Sequence, residues 1–219
     1  MYLGSEVYYL GSILPVGVYS LIRRYRQDFL YGNLMADMIL GKKYLPRKMN
    51  SHSWDVAVNL FESSKTDPEK AFSYGYLSHL AADTVAHGSF TCKSKNIGHA
   101  FLELKADSII DRRHWLEAVR IERKVQRRND VFLEKSLHRF IFSFKTNRRL
   151  FKSWVIISGL NKERFGNPVL IERRHIERLH EESLDRISDV LQHGLRSEVL
   201  KKDPIGNVKK AKPLSGILI

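Results

Sequence analysis

Apolar positions along the chain recur at helical spacing, and no stretch keeps the strict alternation of a strand. Val18, Leu21, Ile22, Tyr25 and Phe29 form one stripe, with Arg23, Arg24 and Arg26 on the opposite, wet side. Pro15 punctuates the start of this amphipathic helix, and Gly32 with Asn33 predicts a break after it. The run LMADMIL at 34–40 then places Asp37 among apolar side chains, where a carboxylate is costly unless it is hydrogen-bonded or bound to a cation. Residues 41–53, GKKYLPRKMNSHS, read as a basic loop that delivers His52 just before a helix over 54–61, capped by Ser51 or Ser53. Asp67 and Pro68 supply a cap and a first-turn proline for a longer helix that is expected to end near Gly88. From Asn96 a further helix is predicted through Glu103 and Asp107 to about Arg120.

The second half continues in the same way. Phe132, Leu133, Leu137, Phe140, Ile141 and Phe144 share a stripe, and Leu150, Phe151, Trp154 and Val155 extend it. Arg139, Lys145, Arg148 and Arg149 are interleaved with these aromatics, a mixture that nucleic acid could use, but helical spacing favours core packing. A turn region at 159–168 leads to a last amphipathic helix over 172–195 with Ile176, Leu179, Leu184, Ile187 and Leu191 on its inner face. The expected fold is therefore all-α: a single-domain, multi-helix bundle over residues 1–200 with candidate zinc ligands on its core helices. Residues 201–219 form a basic tail expected to be flexible. A chain of 219 residues suffices for one substantial core.

One stretch of that pattern carries chemistry. Between Ala71 and Cys92 the only charged residue is Asp83, so this helix reads as buried nearly all round while holding His79, Asp83 and His87 four residues apart. His99, Glu103 and Asp107 repeat that spacing. Side chains four apart on a helix project from one face and are close enough for two of them to close on one ion. His79 with Asp83 makes one half-site and His99 with Glu103 another. His87 lies two turns beyond His79 and suits the second group if the two helices pack antiparallel. Asp37 and His52 are the candidates to complete the first, giving two metals and seven ligands. Imidazole and carboxylate at this spacing fit zinc. The single cysteine, Cys92, excludes an internal disulfide and leaves metal binding to His, Asp and Glu. His114, His138, His175, His180 and His193 lie among charged helical residues and are read as surface histidines.

Charge narrows the partners. The net charge is +13, but residues 1–110 hold 12 Lys and Arg against 10 Asp and Glu, whereas residues 111–219 hold 25 against 14. The basic half suits phosphate-bearing partners such as an anionic membrane surface or nucleic acid, or a plain solvated surface. No apolar run is long enough for a transmembrane segment, and the apolar residues 7–21, interrupted by Gly11, Pro15 and Gly17 and with no basic segment before them, are not expected to be a signal peptide.

In order, residue type and spacing, DFLYGNLMADMI, SHSWD, SHLAADTVAH and GHAFLELKAD resemble the zinc-dependent phospholipase C family, whose relatives include fungal single-strand-specific nucleases. The resemblance covers roughly residues 28–110. It implies that Asp37, His52, His79 and Asp83 bind one Zn2+ and that His87, His99 and Glu103 bind a second, with Asp107 as a supporting carboxylate. It also implies hydrolysis of a phosphodiester, a phospholipid headgroup above all, with Asp37 doubling as the base for the attacking water. Single-stranded nucleic acid is the alternative substrate, and a metal-stabilised, non-catalytic binding domain is the alternative outside enzymes. Two departures stand out. Met38 and Met49 occupy the approximate positions where choline-specific relatives carry aromatic residues, so a choline cage is not expected. A third family zinc site uses the mature N-terminal residue and a nearby His, and these would have to lie upstream of Met1. If the true start lies there the protein is expected to be exported, and otherwise cytoplasmic.

Overall fold

The computed structural model describes residues 4, 6–39, 46–90, 117, 120–136, 146, 149 and 170–205, with the backbone alone at 87–90, 136 and 170–173. Among these residues the chain is helical and carries no strand, as the apolar spacing predicts. The helices are α1 (Val16–Arg24), α2 (Arg26–Met38), α3 (Trp54–Ser63), α4 (Asp67–Phe90), α5 (Arg123–Ser136) and α6 (Leu170–His193). Short 3-10 turns at Val7–Leu10, Arg47–Met49, Gly194–Arg196 and Glu198–Lys201 complete the described elements. One hydrophobic core takes residues from all six helices and runs from Val7 to Val199.

At its centre α2 crosses α4 with backbone against backbone. A Cβ on Gly32 would lie 2.1 Å from the Phe72 carbonyl oxygen, and one on Gly75 would lie 2.0 Å from the Phe29 carbonyl oxygen. No side chain fits at either point, so glycine is required by space. This corrects the expected break at Gly32 and Asn33, which lie inside α2. The helix axis turns instead at Tyr25, with φ −111° and ψ 45° between α1 and α2. Asn33 is buried and meets its own need locally, its Nδ2 donating to the Phe29 carbonyl at 3.0 Å. Around the crossing Phe29, Tyr31, Phe72 and Tyr76 are all fully or nearly fully buried.

The start of α4 also differs from expectation. The cap is Thr66, in a T-x-x-E capping box. The Thr66 N–H donates to Glu69 Oε2 at 2.9 Å, the Glu69 N–H to Thr66 Oγ1 at 3.4 Å, and the Lys70 N–H to the Thr66 carbonyl at 2.9 Å. The far end passes through Gly88 to Phe90, so Gly88 is not the terminator its residue type suggested. For α3 the cap is Ser53, whose Oγ accepts from the Asp55 N–H at 3.1 Å. Ser53→Ala is expected to cost about 1 kcal/mol. Urea unfolding measures this, and an unchanged midpoint would remove Ser53 from the capping role.

α5 brings Val125, Phe132 and Leu133 to the core, with the Phe132 ring set edge-on to Phe72 at 6.0 Å. The rest of the predicted stripe, from Leu137 to Val155, lies outside the described residues. On α6, Ile176, Leu179, Ile187 and Leu191 are buried and Leu184 is half-buried. Gly194 follows with φ +57°, a left-handed conformation that stops the helix and turns residues 194–205 back across the bundle. Of the predicted basic tail, residues 206–219 lie outside the described part.

Candidate metal centre

Each of the four described ligand candidates is placed by a local reason in the sequence. Asp37 sits in the last turn of α2, five residues beyond Gly32, and His79 and Asp83 sit on α4, four and eight residues beyond Gly75. Because the two glycines let the axes close together, these side chains meet on the same side of the crossing. His52 is carried on the turn between the Arg47–Met49 element and the Ser53 cap.

The four converge through their polar atoms. His52 Nε2 lies 3.2 Å from Asp37 Oδ1, 3.0 Å from Asp83 Oδ2 and 3.3 Å from His79 Nε2. His79 Nε2 lies 3.2 Å from Asp83 Oδ2 and 3.7 Å from Asp37 Oδ2. The donor atoms of Asp37, His52 and His79 all fall within 4.8 Å of one another. Donors held tetrahedrally at about 2.1 Å from one ion stand about 3.4 Å apart, close to the separations of the two imidazoles from each other and from each carboxylate. Asp83 Oδ2 is buried and makes no hydrogen bond, although two imidazole nitrogens face it. A buried carboxylate oxygen left in this way is suited to a cation at the centre of the group.

Access is one-sided. The His52 and His79 side chains are 6% and 10% exposed and that of Asp83 is 19%, whereas that of Asp37 is 56%. The expectation of a buried Asp37 is thus corrected: its neighbours on α2 are buried, but its carboxylate stands at the open mouth of the cluster. At the closed end, burial by itself raises the pKa of the Asp83 carboxyl. The charges of His79 and then His52 outweigh that and hold it well below the usual carboxylate range, so Asp83 stays an anion.

Two supporting residues were not singled out for this role by the sequence. Ser51 Oγ donates its one hydrogen to the Ala36 carbonyl at 2.8 Å, so toward His52 Nδ1, 3.2 Å away, it can only accept. Once deprotonated, the His52 ring therefore keeps its proton on Nδ1 and turns the Nε2 lone pair into the cluster, the tautomer a metal ligand needs. Tyr76 OH donates to the Ser51 carbonyl at 2.5 Å. Burial, followed by the charges of Asp37 and Asp83, pushes the Tyr76 phenol far above its ordinary pKa, so it remains a donor. The signal for Ser51 was present in Ser-His-Ser, where both serines competed for the cap and only Ser53 takes it. Tyr76 shows no such signal, because a tyrosine at helical spacing looks like any core aromatic. Ser51→Ala is expected to weaken zinc binding about tenfold. Competition with a chelating dye measures this, and an unchanged affinity would mean that Ser51 does not set the tautomer.

The second predicted group cannot be placed in this way. His87 belongs to α4, two turns beyond His79, with its side chain outside the described part, and His99, Glu103 and Asp107 also lie outside it. Among the histidines expected to be surface residues, His175, His180 and His193 lie on α6; His180 is half-buried, and burial lowers its pKa against the charge of Glu177. His114 and His138 lie outside the described residues. Tyr74 packs its ring edge-on to Phe61 at 5.0 Å in the core. Among the described residues no helix is long and apolar enough to cross a membrane.

A family profile described as zinc-dependent phospholipase C matches residues 5–154, well over half of the 219-residue chain. No curated protein and no solved structure matches the chain. The matched span contains Asp37, His52, His79 and Asp83, whose carboxylate oxygens lie 3.0–3.7 Å from the imidazole Nε2 atoms. The chain belongs to the zinc-dependent phospholipase C family.

Proposed function

We propose that the protein is a zinc-dependent phosphodiester hydrolase that cleaves a phospholipid headgroup in the manner of a phospholipase C. The observation that carries this reading is the convergence of two imidazoles and two carboxylates on one point, with a buried carboxylate oxygen left without a hydrogen bond, inside a chain of this family. Asp37, His52, His79 and Asp83 would hold one zinc, and His87, His99 and Glu103 a second. When bound, zinc supplies positive charge to polarise a phosphoryl oxygen and to bring the pKa of water toward about 7.

The chain's own residues divide the remaining work. Asp83 contributes a fixed negative charge at the closed end. Ser51 keeps His52 in its ligand tautomer. Asp37, at the open mouth, takes the proton of the attacking water while its carboxylate also helps hold the metal. Its exposure supports this role, since a substrate would arrive from solvent.

The test begins with metal. Zinc at a hundredfold excess over its dissociation constant should stabilise the wild-type chain by about 2.7 kcal/mol. His79→Ala should lose that rise in zinc yet unfold close to the wild type in chelator. Equal loss in both conditions would make His79 an ordinary packing residue and overturn the metal reading. Zinc-loaded protein is then assayed on a phospholipid panel and on single-stranded nucleic acid, toward which the basic C-terminal half gives some attraction. Turnover of phospholipid supports the proposal. Turnover of nucleic acid alone assigns the chain to the nuclease reading, and zinc binding without turnover of either assigns a metal-stabilised binding domain.

A further inference from the structure

His52 differs from the other described ligands in having no helix beneath it. Its position depends on what fixes residues 46–54, and the two sides of that loop are tied to a segment more than 140 residues away in sequence. Arg47, five residues before His52, forms an ion pair with Asp203. Trp54, two residues after it, donates its indole Nε1–H to the Lys202 carbonyl at 2.6 Å. The Asp203 carboxylate is itself held ready, since its Oδ1 accepts the Ile205 N–H at 3.0 Å while Oδ2 faces Arg47. Behind these contacts Val199 is buried in the core, Leu195 and Leu200 pack against it, and Ser197 Oγ donates both to an Asp189 carboxylate on α6 and caps the turn by accepting from the Val199 N–H. The segment is thus anchored on the bundle at one end and grips the His52 loop at the other. It lies wholly beyond residue 154, where the match to the family ends.

We propose that residues 197–205 act as a clamp that positions His52, and through it sets the metal affinity of the centre formed by Asp37, His52, His79 and Asp83. The inference rests on the reading that this centre holds zinc. Arg47, Trp54 and Asp203 are positioning residues: none of them supplies a donor atom to the cluster, and each acts through the loop. A ligand on an untethered turn must be ordered at the moment of binding, which weakens the site, whereas a loop gripped on both sides of the ligand is ordered beforehand. Residues that orient ligands from outside the coordination shell typically change metal affinity by about 10–100-fold when removed.

The experiment measures zinc affinity by chelator competition on the full chain, together with unfolding in chelator. Trp54→Phe with Asp203→Asn removes the indole donor and the carboxylate charge while keeping an aromatic ring at 54 and the side-chain size at 203. The expected result is a zinc affinity at least about tenfold weaker, with a much smaller change in the unfolding midpoint of the metal-free protein. The exchange Arg47→Asp with Asp203→Arg keeps net charge and is expected to recover most of the affinity lost in Asp203→Asn, which a general charge effect on the cation would not do. Unchanged zinc affinity in the double variant overturns the clamp. So does a loss in chelator as large as the loss in zinc, since that is the behaviour of ordinary surface stapling. If the wild-type chain itself binds no zinc, the metal reading and the clamp fall together, whereas wild-type binding with unaffected variants removes the clamp alone.

Discussion

Gly75→Ala is expected to destabilise the protein by about 3 kcal/mol, although alanine is the better helix former by about 1 kcal/mol. The sign is decided by space. The added methyl would sit 2.0 Å from the Phe29 carbonyl oxygen, which is backbone of a packed helix and cannot swing aside as a flexible side chain would. The axes of α2 and α4 must therefore part, and the rings of Phe29, Tyr31, Phe72 and Tyr76 lose their close packing together. Gly32→Ala meets the Phe72 carbonyl in the same way and is expected to match it in size. Urea unfolding gives the stability, and chelator competition gives a second readout, since parting the helices pulls Asp37 away from His79 and Asp83. A stabilised Gly75→Ala protein would show that the two backbones do not touch.

The second large effect concerns the tie between α2 and α5. Asp28 is 1% exposed and accepts from Arg128 Nε at 2.8 Å, from Arg128 Nη2, and from Asn129 Nδ2 at 2.7 Å. Arg128 is 43% exposed on its side chain, so the two partners are not equivalent. Arg128→Ala leaves a buried carboxylate with one amide donor, and the expected cost is about 3–4 kcal/mol. Asp28→Ala leaves a guanidinium that can turn to water, and its cost is expected to be smaller, about 2 kcal/mol, mostly from the buried Asn129 N–H that loses Asp28 while the other keeps the Val125 carbonyl at 2.9 Å. Chemical unfolding of both variants tests the order. If Asp28→Ala proved the more damaging, the pair would owe its value to Asp28 as a packing element rather than to compensated charge.

What the sequence disclosed and what it concealed have different physical origins. The helices were legible because apolar residues on one face leave a periodic record, and the candidate cluster drew attention because imidazole and carboxylate four residues apart are rare in a buried helix. Gly32 read as a break because glycine usually marks backbone freedom, and nothing local reveals that another helix occupies the space where its side chain would be. Gly88 suggested a stop on the same residue-type ground, whereas α4 runs on to Phe90. Thr66 was overlooked in favour of Asp67 although the T-x-x-E spacing to Glu69 was present. Asp37 looked buried because its neighbours are apolar, yet a single residue of a helix can face outward at the edge of a core. The contacts of Ser51, Tyr76 and Asp203 depend on which distant segment arrives beside them, and only the fold decides that.

The crossing of α2 and α4 also fixes how much error the centre can tolerate. Two helices touching backbone to backbone have no compressible layer between them, so relative motion is confined to pivoting about Gly32 and Gly75. Asp37 lies five residues from that pivot and Asp83 eight residues from it, arms of about 7.5 and 12 Å along the helix axes. A tilt of about 10° about the pivot would displace the end of the shorter arm by about 1.3 Å, more than half a zinc–ligand bond. The two hydrogen atoms that glycine carries in place of side chains thus act at the hinge of a lever whose far ends must meet to within a fraction of an ångström.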